Sequence, residues 1–110
     1  MSKNKISGGK ATKSHTTFID AAEPVVKFLI KSPLVKKYSL GMIEVARSKK
    51  RRIKLANIQG GVKLVIYGNI AFQEIYVYTS SPELFRKELG DILGKEFDIQ
   101  GDALKKPIMA

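Results

Sequence analysis

The sequence contains no cysteine, which excludes a disulfide, a thiolate metal site and a cysteine nucleophile. Its single histidine, His15, is too few for a two-histidine zinc motif within one chain. Acid is scarce beside base: 10 Asp and Glu stand against 20 Lys and Arg, a formal net charge of +10. Long apolar runs are also missing. The longest, such as Leu64–Tyr67, is four residues, far short of the ~20 that a membrane helix needs. No apolar signal-peptide core follows the basic amino terminus. What remains is 110 residues, 44% hydrophobic, enough for one domain with a modest core. We therefore expect a cytoplasmic domain that does not enter membranes and whose partner is anionic.

The position of the charge is more informative than its total. Residues 1–73 carry a balance of +12 and residues 74–110 one of −2, so the whole excess lies in the first two-thirds. One cluster, Lys3, Lys5, Lys10 and Lys13, is spaced by Ser, Gly and Asn with no acid. A second comprises Arg47, Lys49, Lys50, Arg51, Arg52 and Lys54. A lone surface lysine needs no explanation beyond solubility. Five cations in the six residues RSKKRR repel one another unless an anion offsets them, which marks a segment that contacts a polyanion.

Residues 1–14, MSKNKISGGKATKS, lack periodicity and are expected to be a flexible basic arm. The apolar spacing from Phe18 to Ile30 predicts a helix over 20–31. Asp20 and Glu23 have capping-box spacing, Pro24 falls in the first turn and Ser32-Pro33 ends the helix. Four β-type segments follow, Met42–Arg47, Arg51–Ile58, Val62–Tyr67 and Ile70–Thr79. Their connections, Ser48-Lys49-Lys50, Gln59-Gly60-Gly61 and Gly68-Asn69, are all hairpin-length and predict antiparallel sequential neighbours. A second helix is expected over 82–93, with Ser81 as cap and Leu84, Phe85, Leu89, Ile92 and Leu93 buried. The expected fold is a single α+β domain over 15–94, a four-stranded antiparallel meander flanked by two helices on one face (α-β-β-β-β-α). Residues 95–110 are left as a C-terminal tail.

Alternation within the strands places Tyr67, Phe72, Tyr76 and Tyr78 beside Arg52, Lys54 and Lys63 on the face away from the helices. Aromatic rings interleaved with cations can stack bases and neutralise phosphates. Tyrosines also suit half-buried strands for their own sake, with the tail as the alternative cover for this face.

Parts for catalysis are few. His15 lies in the Ser-Gly-Lys-rich arm, where a general base is hard to hold in place. Glu44 and Glu74 are candidates to face one another across strands, a pairing that is commonly structural. Gly60-Gly61 does not precede a helix, and GDILGKE has the wrong spacing for a phosphate loop. No catalytic residue, metal ligand or cofactor is assigned, and an enzyme is not expected.

Three stretches together carry a resemblance. They are Ser14-His15-Thr16-Thr17 before the first helix, Leu40-Gly41-Met42-Ile43 opening the sheet, and Gly60-Gly61-Val62-Lys63-Leu64 followed by Gln73-Glu74-Ile75-Tyr76-Val77-Tyr78-Thr79. In order and spacing, over about residues 14–80, the chain resembles a small uncharacterised archaeal and cyanobacterial family of predicted metal-binding proteins. The resemblance implies a shared fold, with no function established beyond the metal-binding label. With only His15 as a nitrogen ligand and no cysteine, the label transfers poorly to these residues and leaves open a hard cation at Glu44 or Glu74.

The residues themselves point to a non-enzymatic protein that binds structured RNA, an archaeal ribosomal or ribosome-associated protein. It would contact rRNA within a subunit, beside neighbouring ribosomal proteins. The expected contacts are Lys3, Lys5, Lys10, Lys13 and His15 in the arm, Arg47, Lys49, Lys50, Arg51 and Arg52 at a hairpin tip, and Lys54, Lys63, Tyr67, Tyr76 and Tyr78 on the sheet. The alternatives are a metal-binding protein and a chromatin protein on duplex DNA.

Overall fold

The structure, a computed structural model, describes residues 17–101. The expected arm, with Lys3, Lys5, Lys10, Lys13 and His15, lies outside the described residues, as do residues 102–110 of the tail. A single 3-10 turn, Asp20–Ala22, leads into helix α1, Glu23–Lys31. Strands β1 (Lys37–Val45), β2 (Arg52–Ile58), β3 (Gly61–Tyr67) and β4 (Ala71–Tyr78) follow, then helix α2 (Pro82–Leu93) and a short strand β5 (Asp98–Gly101).

Neither helix is capped as its sequence predicts. Asp20 starts the 3-10 turn, and no side-chain cap bond forms at α1 or at Ser81 before α2. Thr79 Oγ1 instead accepts the Ser81 N–H at 3.0 Å, and Pro82 fills a first-turn position that needs no donor. At the other end of α1, Ser32 donates its hydroxyl to Glu88 Oε1 at 2.7 Å and so ties the helix to α2. Within α2, Phe85, Leu89 and Leu93 are buried as expected. Leu84 and Ile92 face solvent instead, and Arg86 takes a buried position with its guanidinium 2.7 Å from Asn57 Oδ1.

The sheet corrects the expected four-stranded meander in two respects. It has five strands in the order β1-β4-β3-β2-β5. Strands β2, β3 and β4 do form an antiparallel meander, but β1 pairs with β4 and not with β2. Residues 46–51 are therefore not a hairpin turn. They form a strap that crosses the end of the sheet, spanning about 14 Å, three inter-strand spacings. Six residues reach roughly 20 Å when extended, so the crossing is short but feasible. The second correction is β5, which emerges from the expected tail and pairs in parallel with β2, Arg52 opposite Asp98 and Leu55 opposite Gly101. Strands β4 and β5 then run the same way, and α2 is the crossover between them.

One face of the sheet is apolar. Ile53 and Leu55, Val62, Leu64 and Ile66, and Ile75 and Val77 are buried there with α1 and α2 side chains in a single core, and the Phe28 and Phe85 rings meet at 5.8 Å. The same face holds one fully buried amide, Gln73, whose Oε1 accepts the Ile19 N–H at 3.1 Å and whose Nε2 donates to the Thr17 carbonyl at 3.2 Å. These two bonds satisfy a polar group that would be costly to bury alone and fasten the segment entering α1 to the sheet. No helix among the described residues is long and apolar enough to cross a membrane.

A candidate nucleic-acid interface

The opposite face of the sheet follows from the register. Residues directly opposite on paired strands share a face, and every second residue repeats it. Reading across from β1, the first row is Glu44, Phe72, Tyr67, Arg52 and Asp98. The second is Glu74, Val65, Lys54 and Gln100; the third is Ser39, Tyr76, Lys63 and Ala56. Lys37, Tyr78, Gly61 and Ile58 form the fourth. No side chain in these rows is buried, so no described element covers this face.

The register thus brings together the sheet residues singled out in the sequence, Arg52, Lys54, Lys63, Tyr67, Tyr76 and Tyr78. Arg52 lies over the Tyr67 ring at 5.3 Å, with Lys54 5.7 Å from the same ring centre. Tyr67 and Phe72 pair across strands at 5.5 Å. Lys37, a cation outside the contacts expected from the sequence, sits 5.3 Å from the centre of Tyr78. Its place on the face was hidden because β1 begins at Lys37, whereas a strand was expected only from Met42.

The RSKKRR run divides. Arg47 and Lys49 are exposed on the strap, whereas Lys50 stands 3.9 Å from Asp98 and Arg51 pairs with Glu96 at 3.5 Å over the Phe97 ring. The strap is held by the turn it crosses, with the Ala46 N–H bonded to the Ile70 carbonyl and the Ser48 N–H to that of Asn69. The Asp98 N–H then reaches the Arg51 carbonyl, joining strap and β5. The run is accordingly not a freely projecting hairpin tip.

Glu74 is the carboxylate nearest the centre of the face. It accepts the Tyr76 hydroxyl at 2.8 Å and lies 3.9 Å from Lys63 Nζ. That hydrogen bond, aided by partial desolvation and by the negative charge of Glu74, holds the Tyr76 phenol above its ordinary value of 10.0. A raised phenol value favours the neutral, folded-state form. The associated stabilisation is complete below the ordinary value and is lost as pH rises through the folded one. Glu74→Gln is expected to let Tyr76 ionise at lower pH, followed by the ring-carbon chemical shifts of Tyr76; an unmoved titration would exclude Glu74 as the cause.

The arrangement defines an open-faced α+β domain whose uncovered sheet carries aromatic and cationic side chains beside a basic strap. The chain belongs to the family described as "Predicted metal-binding protein (DUF2103)", which it matches over residues 6–91. No curated protein and no solved structure matches it. The described residues do not supply the donor set that such a description implies. Among them no three His, Cys, Asp or Glu side chains come together to hold a metal ion. Glu44 stands opposite Phe72, and Glu74 is engaged by Tyr76 and Lys63.

Proposed function

We propose that the chain is a non-enzymatic RNA-binding protein of the cytoplasm that contacts structured rRNA in a ribosomal subunit, beside neighbouring ribosomal proteins. The observation that carries this reading is continuity. The strap, with Arg47, Lys49 and Lys50 exposed, runs directly into Arg52 at the first row of the uncovered face, where Lys54, Lys63 and Lys37 follow. Cations along the end and face of a rigid sheet match the way proteins fix their register on phosphates, while the adjoining rings are suited to bases. Lys3, Lys5, Lys10, Lys13 and His15 extend the proposed contact from outside the described residues.

Co-sedimentation with ribosomal subunits tests the proposal. The protein is expected to travel with subunits at low salt and to be released progressively as salt rises, since counterion release drives such contacts. Failure to co-sediment at low salt would remove it. The family description favours a second reading, metal binding. Stoichiometric, tightly held metal in the purified chain would support that reading.

A further inference from the structure

On the β5 side of the open face lies a hollow of about 350 Å³ between β2, β3 and β5. Its floor is made of short side chains, Ala56 and Val65, and its walls are Lys54, Lys63 and Gln100. Aromatic groups border it: Tyr67 with Phe72 in the first row, beyond its end, and Tyr76 beside Lys63 in the third. Two rows are four residues of strand, so the backbone positions of the two groups lie about 13–14 Å apart, with Lys54 and Val65 in the row between.

We infer that this face binds an unpaired stretch of RNA, one base stacking at Tyr67–Phe72 and another at Tyr76, with the intervening phosphates held by Lys54, Lys63 and Gln100. The inference rests on the RNA-binding reading and specifies which form of RNA the sheet takes. Lys54 has no ion pair among the described residues, and Lys63 has only the long contact to Glu74. Both ammonium groups therefore remain able to meet a phosphate. Arg52 packs its guanidinium over the Tyr67 ring with Nε buried, so its part is to hold that ring in place.

The carboxylates of the face favour a path along the strands. Glu44 and Asp98 lie in the outer strands β1 and β5, and Glu74 is occupied by the Tyr76 hydroxyl. A strand of RNA running over β2, β3 and β4 avoids Glu44 and meets β5 only at Gln100, whose Nε2 also donates to Asp98 Oδ2 at 3.3 Å. Duplex RNA does not fit this chemistry, because its base faces are hidden in the stack and a flat ring offers nothing to phosphates alone. The strap remains available to a neighbouring helical segment.

The experiment is a fluorescence-anisotropy titration of the full chain with a single-stranded RNA of about ten nucleotides and with a blunt duplex of the same sequence. Tyr67→Ala together with Tyr76→Ala is expected to weaken single-strand binding about tenfold or more while leaving duplex binding unchanged. Tyr67→Phe with Tyr76→Phe keeps both rings and should retain binding. Lys54→Gln with Lys63→Gln should lower the single-strand salt slope by roughly 1.4. The inference is overturned if the alanine pair binds the single strand like the parent, or if the phenylalanine pair loses as much as the alanine pair. A parent protein that binds only duplex overturns it while leaving the RNA-binding reading intact. Binding of neither RNA overturns both.

Discussion

The Gly61→Ala protein is expected to lose about 3 kcal/mol of stability, the upper end of ordinary overpacking costs. In a domain of this size that lowers Tm by roughly 12–20 °C. Gly61 opens β3 opposite Tyr78, and a Cβ built there would overlap the Val77 carbonyl oxygen and approach Tyr78 Cα to 2.9 Å. Both obstacles are backbone of the central pair β3–β4, so no side chain can swing aside to make room. Gly60 beside it has φ 83°, and its carbonyl accepts the Thr79 N–H at 3.0 Å, which further fixes the approach. Gly90→Ala in α2 is the control. Nothing lies within 4 Å of its added methyl, and it should stabilise the chain by about 0.4–1 kcal/mol. Thermal melts of the two variants check both signs; a Gly61→Ala protein that melts with the parent would show that the strands separate easily here.

Removing the charge of the strap should have the largest effect on binding. The triple variant Arg47→Ser, Lys49→Ser, Lys50→Ser leaves Arg51 and Arg52 in place, because those two also hold Glu96, Phe97 and Tyr67. Stability should change little, since the three side chains are exposed and the Lys50–Asp98 contact is a long surface pair. If each cation meets one phosphate, the slope of log affinity against log salt should become shallower by about 2–3 units. Titrating RNA at several salt concentrations measures it. An unchanged slope would mean that the strap is solvated and makes no phosphate contact.

Much of the fold was legible because local chemistry and tertiary structure agree. Alternation in β2, β3 and β4 assigned both faces of those strands correctly, and Pro82 with the Phe85, Leu89 and Leu93 spacing placed α2. The neighbour of β1 was not legible from loop length alone. Six residues suffice for a wide hairpin or for a crossing over the sheet end, and the sequence distinguishes them only weakly. The clue was the turn chemistry: the other two connections contain glycine, whereas Ser48-Lys49-Lys50 has nothing suited to a tight hairpin. Strand β5 was missed because Asp98–Gly101 has four residues and one apolar side chain packed on the core, Ile99. Pairing with β2 creates it; its own pattern does not. For the candidate site, the rings and cations of β2–β4 were legible from period-two alternation. The division of RSKKRR between solvent and protein was not, because it depends on Glu96, Phe97 and Asp98, which reach it only after folding.

The irregularity in β1 has a bearing on how the molecule keeps to itself. At nine residues β1 is the longest strand and forms one border of the sheet, yet its pairing with β4 shifts register between Leu40 and Ile43. A bulge bends the strand and interrupts the regular spacing of its outward-pointing N–H and C=O groups. An incoming extended chain could match that border only in short pieces on either side of the break. Lys36 and Lys37 add a charge that a second copy would have to approach with the same sign. At the other border β5 comprises four of the described residues. Both margins are therefore poor templates for adding strands, so the sheet can leave a broad face exposed without being extended into a fibre.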